Sequence, residues 1–378
     1  MRVSVPSFAK INLGLRIGAL RPDGFHALRT VYQTIALHDV ISVSVDRGSG
    51  KEIRCDDPRV PRDSTNTCWK IVERAIESLK ARGRVIIEIE KRLPVQGGLG
   101  GASANAVTAL LALEAALKRR LSAPERLRIA SEVGSDLPLF LIGGTVLGVG
   151  RGEEVYPLPD LSAMPCVIAL PEIAVSTPKA FGDWDRFMVP RREKQVPRLR
   201  SSFASERTSS LGMTSSTEGT SDGAQLTAAY ASDRMLEFGR EISAWLNAGL
   251  ESKPRRSGVS ARRGGRAENP LLDLVRTGIE NDFEKVVFPL YPELREVKRV
   301  LERAGAAYAS LSGSGSAVYG MFESRAKAEQ AVRKLEKSGT KAVVTSTLTR
   351  SQYWKKLEAR SGRLSPPPKS RALRGISS

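Results

Sequence analysis

The sequence is poor in the residues that build disulfide frameworks and metal centres. It contains three cysteines, none of them in a Cys-x-x-Cys pair, and only two histidines. Three widely spaced thiols predict neither a disulfide scaffold nor a zinc site, and two histidines exclude a histidine-rich metal centre. Any catalytic histidine must therefore be His26 or His38.

Long apolar runs are also missing. No stretch of about 18 or more apolar residues occurs, so no part of the sequence is predicted to span a membrane. The first residues, MRVSVPSFAKINLGLRIG, do not have the pattern of a signal or transit peptide, because polar and charged side chains interrupt each apolar stretch. We therefore expect a cytoplasmic protein without a membrane partner.

Aromatic residues make up only 6% of the chain, whereas its formal net charge is +18. Such a charge indicates either nucleic-acid binding or a basic segment on a protein with an anionic small-molecule substrate. Much of the excess lies in a Ser-, Gly- and Arg-rich stretch at about 185–268 and in the C-terminal tail. Few stacking aromatics accompany these arginines, so we favour a solvated, disordered insert and expect no nucleic-acid partner.

The hydrophobic pattern indicates a mixture of helices and strands. The 378 residues, 41% of them hydrophobic, suffice for two globular domains. Period-two patterns predict strands at 2–17, 31–45 and 84–91, and helical spacing predicts helices at 66–83 and about 103–119. The elements lack regular βαβ alternation, which favours an α+β class. We predict an N-terminal domain at 1–160, a C-terminal α/β domain at 161–350 containing the insert and one helix at 233–250, and a disordered tail at 351–378.

One glycine-rich stretch, PVQGGLGGASAN at 94–105, directly precedes a strong helix pattern. It is not a P-loop, because no Gly-Lys-Ser/Thr follows, and Ser103 stands where the last glycine of GxGxxG belongs. Successive bare amides at a helix N-terminus could bind an anion. The alternative is a tight turn that caps a buried helix, and the loop alone does not decide between the two.

Three further stretches bear on that choice. Lys10 and Asn12 in PSFAKINLGL are two residues apart and share one face of a strand. Asp136 lies in the apolar segment GSDLPLFLIGG, where an unpartnered carboxylate would be costly to bury. The stretch SGSGSAVYG supplies a second loop of small residues. Separately these are a solvated lysine, a helix N-cap and a hairpin turn, but together they predict phosphoryl transfer.

Three stretches resemble the ordered motifs of the GHMP kinases (galactokinase, homoserine, mevalonate and phosphomevalonate kinases): PSFAKINLGL, PVQGGLGGASANA and LSGSGSAVYGMF. RPDGFHALRTVYQTIAL, GSDLPLFLIGGTVLGVGRGE and VSTPKAF are most similar to the 4-diphosphocytidyl-2-C-methyl-D-erythritol kinase family. The resemblance covers roughly 1–183 and 270–348.

This resemblance implies a two-domain α+β GHMP kinase fold with an N-terminal ATP-binding domain and a C-terminal α/β domain. It implies ATP-dependent phosphorylation of the 2-hydroxyl of a cytidine diphosphate substrate in isoprenoid precursor biosynthesis. Mg²⁺ is expected with ATP, and the protein is expected to be a monomer or a homodimer.

The resemblance also implies roles for individual residues. Lys10 and Asp136 correspond to the catalytic pair, with Asp136 accepting the hydroxyl proton, whereas no metal ligand can be assigned. Asn12 and Thr177 match substrate-contacting positions. The cytosine ring is assigned to Phe25 and His26 on one side and Phe181 on the other. The ATP side comprises Asn66 and Lys91 near the adenosine, and Pro94, Gly97, Gly98, Leu99, Gly100, Gly101, Ala102, Ser103 and Ala104 in the phosphate loop.

The loop departs from the family pattern at Ala102 and Ala104, where the family has glycine and serine. Because an alanine methyl group disfavours positive φ, we expect these positions to affect the amide geometry of the loop. Two other functions stay open. A homoserine or mevalonate kinase would share the loop without needing Phe25, His26 and Phe181, and a nucleic-acid-binding protein would use the positive charge.

Overall fold

The computed structural model of the chain describes residues 1–188, 235, 237–239, 242 and 279–361. Most of the insert predicted at 185–268 lies outside these residues, as does nearly all of the helix predicted at 233–250. The tail beyond residue 361 also lies outside them. The described residues form two sheets with helices packed against them.

The N-terminal part is built on a six-stranded sheet. A long antiparallel hairpin of β1 and β2 contains the predicted strands 2–17 and 31–45, and both strands extend beyond the predicted bounds. The sheet order is β3-β4-β2-β5-β6, with β1 paired to β2 and with β3 parallel to β4. The strands are β1 (Arg2–Leu20), β2 (His26–Asp46), β3 (Lys51–Cys55), β4 (Arg84–Glu90), β5 (Thr145–Val149) and β6 (Glu154–Pro157).

Four helices belong to the same part: α1 (Thr67–Leu79), α2 (Gly101–Leu117), α3 (Ala123–Val133) and α4 (Leu137–Ile142). Helix α2 is apolar on all sides, and every residue from 104 to 114 is buried. It packs against α1, β1 and β2, which makes it the central helix of this core. The glycine-rich stretch therefore leads into a helix that the surrounding elements hold in place.

The C-terminal part contains a four-stranded antiparallel sheet in the order β10-β7-β9-β8. The predicted strand–glycine turn–strand pattern is the β8–β9 hairpin. The strands are β7 (Pro165–Leu170), β8 (Tyr308–Leu311), β9 (Val318–Met321) and β10 (Lys341–Ser346). The helices are α5 (Thr177–Met188), α6 (Glu284–Leu290), α7 (Pro292–Arg303) and α8 (Arg325–Lys337).

The final helix, α9 (Arg350–Ser361), corrects one prediction. A disordered tail was predicted from residue 351, and this is wrong for residues 351–361. Tyr353, Trp354 and Leu357 are buried in the core of the N-terminal part. The Tyr353 hydroxyl donates to the carbonyl of Phe140 at 2.8 Å, and the Trp354 indole donates to that of Ile142 at 3.0 Å. These bonds satisfy two carbonyls near the end of α4, and the burial of Tyr353, Trp354 and Leu357 stabilises α9 despite its many charged residues.

The three cysteines, Cys55, Cys68 and Cys166, are free and buried, in agreement with the prediction of no disulfide. Burial raises the pKa of the Cys68 thiol to about 12 and moves the pKa of Cys166 in the same direction. These two thiols are therefore neutral core residues near neutral pH. Among the described helices, none combines the length and the apolar character needed to cross a membrane.

Candidate active site

The glycine-rich stretch forms a loop between β4 and α2. Gly98 and Gly100 have φ values of 73° and 68°, in the left-handed region that favours glycine. A Cβ atom at Gly98 would lie only 2.0 Å from the carbonyl oxygen of Ser312, so this position has no room for a side chain. Gly100 directly precedes α2, so the loop ends at the N-terminus of a buried helix.

Ala102 and Ala104 do not disturb this geometry, contrary to expectation. Both lie inside α2, where the backbone is right-handed helical and alanine is the most favourable residue. Ala104 is also buried in the hydrophobic core, at 1% exposure, and does not line the loop cavity. Its predicted place among the phosphate-binding residues is therefore not supported by its position.

The loop is held by residues of the two other motifs, SGSGSAVYG and PSFAKINLGL. The Ser312 hydroxyl, in the β8–β9 turn, donates to the carbonyl of Gly98 at 2.9 Å. The backbone N–H of Ala317 donates to the carbonyl of Gly97 at 3.2 Å, and that of Lys10 donates to Leu99 at 3.0 Å. The three motifs that are far apart in the sequence thus meet at one point between the two sheets.

A cavity of about 360 Å³ opens on one side of the loop. The loop residues from Pro94 to Ser103 line it, together with Asn105 and residues of the segment leading into α1. The N-terminus of α2 faces this cavity, and backbone N–H groups there suit an anion.

Asn66 and Lys91 line the same cavity, but their polar groups already have protein partners. The Asn66 side chain caps α1 by accepting from the N–H of Cys68 at 2.8 Å, and it donates to the carbonyl of Pro61 at 2.6 Å. The Lys91 ammonium lies 2.6 Å from Asp39, whose carboxylate is completely buried. In this structure both residues therefore shape the wall of the cavity.

The buried carboxylate of Asp39 was not predicted from the sequence. Its oxygens accept from the backbone N–H groups of Arg92 and Leu93, both at 2.7 Å, and from the Asn105 amide at 2.9 Å. With Lys91 this gives four donors to one buried carboxylate, which offsets the cost of burying the charge. Asp39 thereby ties β2 to the start of the glycine loop and to α2.

On the other side of the loop, Lys10 and Asp136 form an ion pair with 3.4 Å between Nζ and Oδ2. Lys10 is 3% exposed, and its ammonium also donates to Asn12 Oδ1 at 2.7 Å and to the Gly98 carbonyl at 3.1 Å. The prediction that Lys10 and Asn12 share a strand face is therefore confirmed. Asp136 occupies the N-cap position of α4 without a side-chain capping bond, so its carboxylate faces the cavity.

A second cavity, of about 720 Å³, extends from Lys10 and Asp136 to Phe25, His26 and Phe181. The His26 and Phe181 rings stack directly on each other, with centroids 5.0 Å apart and planes 10° apart. This spacing is ordinary stacking contact, so no third ring fits between them. The expectation that these two rings lie on opposite faces of one base is not met in this conformation.

The remaining residues assigned to the substrate line the same cavity. Phe25 is 51% exposed, and the guanidinium carbon of Arg151 lies 5.0 Å from its ring centroid, which is a cation–π contact. Thr177, at the start of α5, has its hydroxyl oxygen 2.7 Å from that of Ser314 in the β8–β9 turn. His26 Nε2 lies 2.7 Å from Asp185 of α5.

The two cavities meet at the glycine loop, since Gly98, Gly100 and Ser103 line both of them. Two ligands, one in each cavity, could therefore contact each other at the glycine loop. This junction lies beside the Lys10–Asp136 pair.

Comparison with known proteins agrees with this geometry. Residues 66–144 match the GHMP kinases N terminal domain, and residues 267–341 match the GHMP kinases C terminal model. The 4-diphosphocytidyl-2-C-methyl-D-erythritol kinase of Solibacter usitatus (strain Ellin6076) is 33% identical over 347 residues, covering 92% of this chain and 89% of the relative. The enzyme of the same name from Acaryochloris marina (strain MBIC 11017) is 31% identical, covering 87% and 89%. The chain belongs to the 4-diphosphocytidyl-2-C-methyl-D-erythritol kinase family.

Solved structures are similar to this kinase as well. A crystal structure of a 4-(cytidine 5'-diphospho)-2C-methyl-D-erythritol kinase has a TM-score of 0.60 at 26% identity, with 92% of this chain and 99% of that chain covered. A homoserine kinase from Cytophaga hutchinsonii reaches a TM-score of 0.61 at 19% identity, with 92% and 95% covered. The second likeness shows the fold alone, and the predicted GHMP kinase fold is confirmed.

Most of the residues predicted for the site line one of the two cavities. Five further polar residues line the second cavity of this kinase and were not predicted: Tyr32, Ser135, Arg151, Asp185 and Ser314. Arg151 follows a glycine in GVGRGE, and Asp185 lies one helical turn after Phe181. Helical spacing from Phe181 could have indicated Asp185, whereas nothing near Tyr32 in the sequence points to Asp136.

Proposed function

We propose that this kinase transfers the γ-phosphate of ATP to the 2-hydroxyl of 4-diphosphocytidyl-2-C-methyl-D-erythritol at the junction of its two cavities. The observation that carries the proposal is that Gly98, Gly100 and Ser103 line both cavities next to an ion-paired lysine and aspartate. ATP occupies the smaller cavity with its phosphates at the N-terminus of α2. The cytidine diphosphate substrate occupies the larger one.

Asp136 acts as the base, accepting the proton of the attacking hydroxyl. Its carboxylate lies within the larger cavity and is one-third exposed, so a substrate can reach it. Lys10 holds this carboxylate and places a positive charge beside the glycine loop, where negative charge gathers as the phosphoryl group moves. Phosphoryl transfer depends mainly on such positioning and charge stabilisation.

Mg²⁺ is proposed to enter with ATP. Among the described residues, no three His, Cys, Asp or Glu side chains come together as a metal site. Mg²⁺ ordinarily keeps several waters and binds largely through the phosphates of the nucleotide. The Ser103 hydroxyl, which lines both cavities at the junction, would add one protein oxygen, and the ion would neutralise phosphate charge there.

The far end of the larger cavity is proposed to receive the cytosine. The exposed Phe25 ring, with Arg151 beside it, offers an aromatic surface for a base. His26 and Phe181 form a stacked wall that must separate if they are to flank the base. Arg151 also lines this cavity, and its guanidinium can donate charged hydrogen bonds to the diphosphate of the substrate.

An acceptor panel tests the proposed reaction. With purified kinase and ATP, we expect rapid ADP formation with 4-diphosphocytidyl-2-C-methyl-D-erythritol and rates lower by about 10²-fold or more with methylerythritol phosphate, homoserine or mevalonate. Binding energy from the remote cytidine end can position the reacting hydroxyl, so acceptors that lack it should lose turnover as well as affinity. Comparable rates with mevalonate or homoserine would contradict the substrate assignment and leave the kinase assignment intact.

Replacing Phe25 by alanine tests the base site separately. Phe25→Ala should raise the KM for the cytidine substrate by about 5- to 150-fold, because one stacked aromatic face contributes about 1–3 kcal/mol. The KM for ATP should stay within about 2-fold, since Phe25 does not line the smaller cavity. Leu290→Ala is a matched control, as Leu290 is also 51% exposed but lies at the end of α6. An unchanged KM for the cytidine substrate would remove Phe25 from the base site.

A further inference from the structure

Tyr32 is a fully buried tyrosine that the mechanism above does not use. It lies on β2 opposite Asn12 of β1, and its side chain reaches the wall of the larger cavity. Its hydroxyl donates to Asp136 Oδ1 at 3.0 Å, and the ammonium of Lys10 lies 5.6 Å from its ring centroid. Tyr32 is thus the second side chain, after Lys10, that holds the proposed base.

The chain leaves room for this tyrosine by means of two glycines. A Cβ atom at Gly148 would lie 2.5 Å from Tyr32 Cε2, and one at Gly152 would lie 2.5 Å from the Tyr32 hydroxyl. Both distances are too short for any real side chain. Gly148 and Gly152, in the stretch LGVGRGE, therefore allow the ring and its hydroxyl to lie against β5 and the turn that follows it.

The hydroxyl of Tyr32 is a permanent donor. Burial, together with the nearby carboxylate of Asp136, raises the pKa of Tyr32 well above its ordinary value of 10. The other charged groups near it are Lys10 and Glu153. Tyr32 therefore keeps its proton at any pH at which the kinase works, and the hydrogen bond to Asp136 always runs in the same direction.

The helix that follows Asp136 does not hold its carboxylate. Asp136 is the N-cap residue of α4, but its backbone is right-handed helical, with φ −85° and ψ −4°, and its side chain makes no capping bond. A side chain that caps a helix ordinarily belongs to a residue with an extended backbone. The orientation of the carboxylate therefore depends on the side chains that contact it, which are Tyr32 and Lys10.

We propose that Tyr32 is a positioning residue for Asp136, holding Oδ1 so that the carboxylate faces the junction of the two cavities. Tyr32 takes Oδ1 and Lys10 takes Oδ2, so the two bonds together fix the plane of the carboxylate. The Lys10 contact alone, at 3.4 Å, is long for a charged hydrogen bond and leaves the carboxylate free to rotate. This inference rests on the proposed role of Asp136 as the base.

Tyr32→Phe removes only the hydroxyl and keeps the ring. We expect kcat to fall by about 10-fold or more, since small misplacements of a reacting group are costly. The KM values for ATP and for the cytidine substrate should stay within about 2-fold. Tyr353→Phe is the matched control, because it also removes one buried hydroxyl bond, to the carbonyl of Phe140, but lies outside both cavities. A kcat of Tyr32→Phe within about 2-fold of the parent overturns the inference.

A double-mutant cycle separates positioning from a structural role. In an Asp136→Asn background, measured at high enzyme concentration under single-turnover conditions, adding Tyr32→Phe should change the residual rate by less than about 2-fold. If Tyr32 had only a structural role, Tyr32→Phe would lower the rate of Asp136→Asn as much as it lowers that of the parent enzyme, and that result overturns the inference. Near-normal turnover of Asp136→Asn alone overturns the proposed base and this inference with it. A damaged Asp136→Asn beside a normal Tyr32→Phe overturns the positioning role only.

Discussion

Asp136→Asn is expected to lower kcat by about 10²-fold or more, because a positioned general base typically contributes that much. Asparagine has the same shape as aspartate, and its oxygen can still accept from Tyr32, but it cannot take the proton of the attacking hydroxyl. It also removes the negative partner of Lys10. The affinity for ATP should change by less than about 3-fold, since Asp136 does not line the smaller cavity. Steady-state kinetics and calorimetric titration with ATP measure the two effects.

The matched control is Asp46→Asn, at the exposed end of β2 opposite Arg84. It makes the same chemical change on the same part of the fold and should leave kcat within about 2-fold. If Asp136→Asn retained near-normal turnover, Asp136 would have no part in proton transfer, and the base would have to be sought elsewhere in the larger cavity. A loss of folded protein in Asp136→Asn would be visible in thermal unfolding and would be compared with the control.

The parts of the site that could be predicted from the sequence are those carried by backbone chemistry and short spacing. Lys10 and Asn12 lie on one strand face because side chains alternate along a strand. Gly98 and Gly100 adopt positive φ values, which only glycine adopts without a steric cost. A glycine-rich stretch before a helix therefore predicts a loop. Their meeting with Asp136 followed from the resemblance and not from the spacing.

Contacts between distant segments account for what the sequence did not reveal. The hydrogen bond from Tyr32 to Asp136 joins residues 104 positions apart, and Lys91 pairs with Asp39 across 52 positions. Hydrophobic periodicity and short motifs cannot predict pairs of residues that are so far apart in the sequence. The prediction of a disordered tail failed for a related reason. The sequence of α9 is mostly charged, so it does not indicate a buried helix, and the partners of Tyr353 and Trp354 lie far away in the sequence, at the end of α4. The direct stacking of His26 on Phe181 depends equally on the position of α5 against β2.

Gly98→Ala is expected to abolish measurable turnover, or to raise the KM for ATP by about 10²-fold or more, while the protein still folds. The new methyl group would lie 2.0 Å from the carbonyl oxygen of Ser312, and the φ of 73° is itself unfavourable for alanine. The loop must therefore move away from the β8–β9 turn. That movement breaks the bond from the Ser312 hydroxyl to the Gly98 carbonyl and withdraws the same carbonyl from Lys10. A shift of about 1 Å at this junction suffices for such a loss.

Gly339→Ala is the control that separates the steric effect from the backbone effect. Gly339 also has a positive φ, of 81°, but no atom lies within 4 Å of the position of its Cβ, and it belongs to the turn between α8 and β10. This variant should lose about 1 kcal/mol of stability from backbone strain and keep its activity within about 2-fold. Thermal unfolding of both variants, with ATP titrations of each, gives the comparison. Full activity in Gly98→Ala would mean that the loop tolerates a side chain against Ser312, and that its close packing on the β8–β9 turn is not needed for holding ATP.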